Sequence, residues 1–313
     1  MFVPVERCWV CGGAALTRFH RCCLDFHEYA HQDPELNAYT GRSVWLVRCA
    51  DCGFGQPEEL PALEGFFDRM YDQRWDPEWV GHEFEARCKD FIFRGVLREL
   101  RTRVSSNSKR LLDVGAHAGR FMYLAQQEGW DVEGIELNPR TAAYAARRTG
   151  APVHRVNAHA LACDGRQYSA VTLIDVLEHI PDPGRLLATL SQLVEPGGCI
   201  AVKVPCGPSQ LTKERALAAL SSHKISLAEN LVHVSHFSPR SLKLVLERAG
   251  FTRVALKTGA PELLPLQPAR LSHAASNAVR LALYAAASAP GALHTPLAFN
   301  LQAYAMKSGG ARS

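Results

Sequence analysis

Two constellations in this chain of 313 residues carry side chains that do chemistry. The first is Cys8-x-x-Cys11 with Cys49-x-x-Cys52. Four thiolates on two such knuckles are the donor set of a tetrahedral structural Zn²⁺ site. Each knuckle continues into glycine (CWVCGG and CADCGFG), which lets the backbone turn its amides toward the sulfurs. The 37 residues between Cys11 and Cys49 exceed the commonest ribbon spacing of about 15–20. The loop therefore carries an elaboration, DFHEYAHQDPELNAYTG. Redox or merely buried thiols are the plain alternative. Cys22 and Cys23 are adjacent, which makes joint ligation of one ion awkward. A closed Cys₄ site has no open position, so its role is structural.

The second constellation is the turn Asp113-Val-Gly115-Ala-His117-Ala-Gly119-Arg120 and, beyond it, Glu136. Gly115 allows a sharp turn and close approach of a ligand to the backbone. Gly119 falls where the next helix begins and is expected to pack against the strand. A helix N-terminus there favours a carboxylate or phosphate. Glu136 ends the following strand, where a carboxylate can accept hydrogen bonds from both hydroxyls of a ribose. A dinucleotide fingerprint would need glycine at 117 and 120, where this chain has His117 and Arg120. A pyrophosphate cradle is disfavoured, and a nucleoside cofactor without phosphate fits better.

These residues need elements to position them. RLLDVG (110–115), DVEGIEL (131–137), PVHRV (152–156), AVTLID (170–175) and CIAVKVP (199–205) read as strands. Helices alternate with them. Ala118–Glu128 is one. Asn138-Pro139 and Asp182-Pro183 each open another with an N-cap and a proline at the first helical position. Pro196-Gly197-Gly198 closes the second of these. Ser238-Pro239 opens PRSLKLVLERAG, and FTRVALKT (251–258) and NLQAYAMKS (300–308) supply the last two strands. Such alternation means βαβ units, an α/β fold with a parallel sheet and helices on both faces. Ligands then bind beyond the carboxyl ends of the strands. Residues 1–60 form a cysteine-rich module and 61–104 a connector followed by a helix over 82–104. Residues 105–313 form the α/β body, with 259–299 as a helical insertion or lid.

Composition narrows the classes. At 47% hydrophobic and 21% charged, the chain is neither disordered nor a disulfide-stapled miniature. The net charge of +4 is a weak excess and does not announce a nucleic-acid binder. No apolar run reaches the length of a membrane span. The N-terminus lacks the pattern of a signal peptide. Ten cysteines then point to a reducing compartment, with the cytoplasm the expected location.

The run LLDVGAHAGRFMYLAQQEGWDVEGIELNP resembles motif I and the acidic loop of Rossmann-like S-adenosylmethionine-dependent methyltransferases. SAVTLIDVLEHIPDPGRLLATLSQLVEPGGCIAVKVP and HVSHFSPRSLKLVLERAGF resemble the D-x-L-E-H-x-x-D-P and H-x-x-x-F-S blocks of the subgroup that includes ubiquinone O-methyltransferases. The resemblance covers about 110–257 and the final strand. It implies a Rossmann-like seven-stranded sheet, preceded here by a zinc-ribbon-like head. It implies that Asp113, Gly115 and Gly119 hold the methionine end of the cofactor, and Glu136 the ribose. Leu137 and Asn138 would line the adenosine pocket, with Asp175 beside the cofactor. His117 replaces the usual middle glycine of the cofactor turn. Ala158 stands where an acidic adenine contact is often found.

Methyl transfer is an in-line displacement in which the enzyme mainly aligns the partners. A hydroxyl or carbon acid must also lose a proton, usually to His or a carboxylate. The candidates are Glu178, His179, His233 and His236, against the alternative that Glu178 and His179 only orient a loop. Asp175, Glu178 and His179 could hold a divalent metal, as the resemblance allows. The expected activity is methyl transfer to an oxygen or carbon of a small molecule, such as a sugar, quinone or secondary metabolite. The rivals are an RNA methyltransferase with a zinc head, and a non-catalytic binding protein on the same fold. Oligomeric state is left open by the sequence.

Overall fold

A computed structural model describes residues 1–73, 77–104, 109–156, 158–162, 165–220, 229–265 and 271–308. The head holds β1 (Phe2–Pro4), β2 (Leu16–Cys23), α1 (Pro34–Asn37), β3 (Ser43–Cys49), β4 (Gly55–Pro57) and β5 (Glu59–Pro61). Strands β2-β3-β4 form an antiparallel sheet, and β1 pairs with β5. Then come α2 (Phe66–Gln73), α3 (Pro77–Glu85) and α4 (Asp90–Arg103).

The body runs β6 (Arg110–Val114), α5 (Arg120–Gln127), β7 (Asp131–Ile135), α6 (Pro139–Thr149), β8 (Val153–His154) and α7 (Ala158–Ala162). It continues through β9 (Tyr168–Ile174), α8 (Pro183–Leu193), β10 (Val194–Pro205), α9 (Gly207–Leu220) and α10 (Pro239–Arg248). It ends with β11 (Phe251–Thr258), α11 (Leu271–Ala287) and β12 (Asn300–Lys307). The seven-stranded sheet has the order β11-β12-β10-β9-β6-β7-β8. Only β12 runs antiparallel to its neighbours. This is the parallel α/β sheet that the alternation implied, in the Rossmann-like seven-stranded form that the resemblance implied. The order reverses between β6 and β9, which places the crevice for a ligand there.

Side chains alternate across the sheet as the strand period requires. Leu112, Val114, Val171, Leu173, Val202 and Val204 face α8 and α10. Leu111, Ala170, Cys199 and Ala201 face α4 and α5. Each buried leucine contributes about 1.5–3 kcal/mol over its exposed state. The head shares this core: Cys8, Val10, Cys49, Cys52 and Phe54 pack in one cluster with Leu187, Val245 and Phe237. Backbone bonds join the two parts, with Gly55 and His236 pairing at 2.9 and 2.8 Å.

Several boundaries differ from the sequence reading. The single helix expected over 82–104 is two. Arg87 takes φ 57, a left-handed conformation that no α-helix carries, and the chain bends before α4. The connector before it is largely helical, as α2 and the start of α3. PVHRV supplies only two paired residues, Val153 and His154. Asp182 does precede α8, but at φ 50 its side chain makes no cap bond. Residues 196–198 do not end α8. They lie within β10, where the register shifts between Val194 and Cys199. α11 fills the middle of the 259–299 insertion. Trp75, Asn157 and Arg270 lie outside the described residues.

Candidate functional site

The β6–α5 turn is built from left-handed residues. Gly115, His117 and Gly119 take φ 79, 47 and 80. A Cβ on Gly115 would meet Val176 Cγ2 at 2.4 Å, so only glycine fits. Gly119 packs against α6, not the strand: its Cβ would stand 3.0 Å from Ala145 Cβ. Sequence reasoning missed Gly134 of β7, where a side chain would collide with Met122 and Ala116 at 2.8 and 2.9 Å. That glycine lets the turn lie close on β7.

Glu136 stands beside this turn. Its two carboxylate oxygens accept the N–H groups of His117 at 3.0 Å and Asn138 at 2.9 Å. Each oxygen keeps a further lone pair. Burial pushes its pKa above the usual carboxylate range, against the backbone N–H bonds that favour its charge. Leu137 is exposed, and Asn138 caps α6 through Oδ1, which accepts from Arg140 and Thr141 at 3.0 and 3.1 Å. Ala158 is buried at the start of α7. Asp113 is buried and accepts from Thr172 Oγ1 at 2.7 Å. Burial raises its pKa to about 7, although the Thr172 bond opposes this.

A cleft opens over the turn, lined by Glu83, Lys89, Asp113, Gly115, His117 and Arg120, among others. His117 stacks edge-on to Trp79 at 4.7 Å. Its Nε2 is buried without a hydrogen-bond partner among the described residues. Burial, aided by the Lys89 charge, lowers its pKa to about 4, so the ring is neutral. Arg120 is committed to Asp90 through bonds of 2.8 and 2.6 Å.

Asp175 directly follows β9, at φ 57. Its carboxylate is bound by Lys203 of β10 and by Lys89, 3.1 Å away. Burial opposes its charge, but the two ammonium groups outweigh it and hold the carboxyl well below the usual range. Lys89 also reaches Glu262 at 3.5 Å. Neither lysine was found from sequence. Lys203 carried a signal, a lone cation inside the apolar strand CIAVKVP. Lys89, in the bend before α4, carried none.

Past Asp175, Glu178, His179 and His233 converge, with one ligand atom of each within 4.8 Å of the others. His179 Nδ1 lies 2.7 Å from the Val232 carbonyl. A carbonyl only accepts, so Nδ1 carries the hydrogen. Tyr71 donates to the same carbonyl at 3.0 Å and sets its ring edge against His179. Glu178 is buried, and its Oε2 has no hydrogen-bond partner among the described residues. Burial, then the Asp175 charge, raises its pKa to about 8. Burial, then His179, lowers that of His233 to about 3. Asp175 is occupied by its lysines and is not part of this cluster. His236 is not brought there either. It is buried against Phe19, Gly55 and Gly207 at the seam with the head.

In the head, Cys8, Cys11, Cys49 and Cys52 place their sulfurs within 4.8 Å of one another. Cys8–Cys52 and Cys11–Cys49 stand at 3.5 and 3.4 Å, and Gly13 N–H points at Cys11 Sγ. Phe66 belongs to the head core, with Phe67 and Tyr71 packed against it, while Trp79 goes to the turn.

Comparison with known proteins gives a family. The family model for a methyltransferase domain matches residues 84–256, more than half of the chain. The chain is 34% identical over 152 residues to a ubiquinone biosynthesis O-methyltransferase of Leptothrix cholodnii, covering 46% of this chain and 61% of that one. It is 36% identical over 97 residues to the Pectobacterium carotovorum enzyme of the same name, covering 29% and 40%. The chain thus spans between 40% and 61% of the length of these curated relatives. Among solved structures, the plantazolicin methyltransferase BpumL in complex with SAH superposes with a TM-score of 0.51. Identity there is 14%, over 77% of this chain and 94% of that one. At that identity the likeness is one of fold.

Proposed function

The chain belongs to the methyltransferase-domain family, and from that premise we propose that it transfers a methyl group from S-adenosylmethionine to an oxygen or carbon of a small molecule. The observation that carries this reading is one arrangement at one sheet edge. The left-handed Gly115–Gly119 turn and Glu136 lie on one side of Asp175, and the Glu178–His179–His233 cluster lies on the other.

The donor set fits the cofactor. Glu136 offers each hydroxyl of a ribose a carboxylate oxygen already fixed by a backbone N–H. Gly115 leaves the space a Cβ would fill. Leu137, Asn138 and Ala158 stand where an adenosine would lie. Lys89 and Glu83, at the mouth beside Asp113, match the opposite charges of an amino-acid end. The unpartnered His117 Nε2 is a polar atom awaiting a contact in the same cleft. When bound, the cofactor supplies a methyl group on a sulfonium. The protein's own work is alignment, exclusion of water and movement of a proton. Asp175, clamped by Lys89 and Lys203, fixes the edge between cofactor and acceptor. Glu178 or His179 takes the acceptor's proton. His233 stays neutral and shapes the pocket.

A second reading of the same cluster follows from its geometry: Glu178, His179 and His233 could hold a divalent cation, with His233 in the place that Asp175 was expected to fill. Activity unchanged in EDTA would remove that reading.

Four sulfurs this close suit a Zn²⁺ ion, whose Zn–S bonds of about 2.3 Å imply sulfur separations of about 3.8 Å. Such an ion would be structural, because four thiolates close the site and leave no open position. Nine free cysteines among the described residues suit a reducing compartment, and we place the protein in the cytoplasm. No described helix is long and apolar enough to cross a membrane. The weak net charge favours a small molecule over nucleic acid as the acceptor. The test is calorimetry with S-adenosylhomocysteine on wild type and Glu136→Ala. Binding that is tight in the first and weakened in the second supports the reading. No binding to folded wild type refutes it.

A further inference from the structure

At the sheet edge opposite this site, two irregularities face each other across the end of β12. On β10 the register shifts between Val194 and Cys199, and Gly197 takes φ 81. On β11 the register shifts between Thr252 and Ala255, and Arg253 takes φ 51. A bulge bends its strand and re-aims the side chains on it. A non-glycine residue in the left-handed region is uncommon, and such strain persists most often at functional positions. Between the two bulges lies a cleft of about 430 Å³. Arg103, Gly197, Thr252, Arg253, Lys307 and Ser308 line it.

The charge of the cleft is one-sided. Three of its lining residues are cations, and no carboxylate is among the described residues that line it. Lys307 Nζ donates to Ser191 Oγ at 3.0 Å, a neutral partner. Arg253 is exposed and engages no carboxylate among the described residues. Arg103 does pair with Glu99 at 3.0 Å, and Glu99 also takes Lys257. Yet Arg103 Nε is buried with no hydrogen-bond partner among the described residues.

We propose that this cleft binds a small phosphate-bearing anion, at a site separate from that of methyl transfer. The Arg253 guanidinium fork matches phosphate oxygens in pairs, and Arg103 and Lys307 add positive charge. Ser308 adds a hydroxyl at the rim. A small ligand is favoured over a nucleic acid because the three cations line one concavity and the chain's net charge is only +4. Free phosphate and a phosphorylated metabolite present the same group.

Calorimetry on the full chain at about 0.05 M salt, where charge pairs are weakly screened, tests it with inorganic phosphate and with ribose 5-phosphate. One anion per chain is expected. Arg253→Gln and Lys307→Gln should each weaken it about tenfold, as loss of one charge-assisted bond does, while Arg253→Lys retains most of the affinity. S-adenosylhomocysteine binding should be the same in all four proteins. Tighter binding of the sugar phosphate assigns the site to a metabolite, and equal binding to the free anion. No binding of either probe to wild type overturns the proposal. So does affinity unaltered by the variants, competition by S-adenosylhomocysteine, or a short RNA that binds more tightly than both and is lost in the same variants.

Discussion

The Glu136 carboxylate accepts the backbone N–H of His117 at 3.0 Å. The second strand of the body thereby holds the turn after the first, and the acid is oriented before any ligand arrives. Glu136→Ala removes both this brace and the groups facing a ribose. S-adenosylhomocysteine affinity should fall by about 10- to 100-fold, the loss of one or two bonds to a charged group. The transition temperature should change little, since two backbone donors at a cleft can turn to water. An affinity within twofold of wild type, measured by calorimetry, would remove Glu136 from the site.

Gly115→Ala should be strongly destabilising. The new Cβ would overlap Val176 Cγ2 at 2.4 Å, and φ is 79. Overpacking and left-handed strain together cost about 2–5 kcal/mol. Val176→Ala removes the colliding methyl, so the double variant should recover part of the loss. Urea melts of the four proteins read this coupling. Strict additivity would show that the two side chains do not meet.

The pH dependence of turnover separates the proton acceptors. Glu178, raised to about 8, is protonated at neutral pH and becomes a base only as pH rises through that value. His233, lowered to about 3, is neutral above pH 5 and adds no limb there. The rate should rise toward pH 8 and level off, and Glu178→Gln should abolish that limb. Stability moves the other way. The folded state binds the Glu178 proton more tightly than the unfolded state, so this group's contribution is present below about 4.5 and declines as pH rises to about 8. A profile unchanged by Glu178→Gln would assign the proton to His179.

Much of this could be read from the chain. β9 and the Cys199–Val204 part of β10 are largely apolar runs that only a doubly covered sheet can bury, and Gly115 and Glu136 follow from where β6 and β7 end. The bend at Arg87 was hidden because Phe84 and Ile92 keep helical spacing across it, and no glycine marks the left-handed residue. Lys89 and Lys203 were hidden because the pairing that matters runs between distant segments that meet at Asp175. His233 and His236 are three residues apart, but the backbone pairing of His236 with Gly55 turns one toward the cluster and the other into the seam.

Loss of the head's metal should unfold more than the head. Cys8, Cys49 and Cys52 share a cluster with Leu187 and Val245 of the body. Chelation, or Cys49→Ser, should therefore lower the temperature of one cooperative transition. Elemental analysis should find one zinc per wild-type chain. Two separate transitions, with the body's unmoved, would show that the head is an independent unit.

The most direct measurement is the transfer of label from methyl-labelled S-adenosylmethionine into a host-cell extract, sorted into small-molecule, lipid, RNA and protein fractions, with Glu136→Ala alongside. Label should enter the small-molecule or lipid fraction with wild type and be lost with the variant. Label in RNA or protein would contradict the proposed acceptor class. No label anywhere, from a zinc-loaded chain that also fails to bind S-adenosylhomocysteine, would contradict methyl transfer itself.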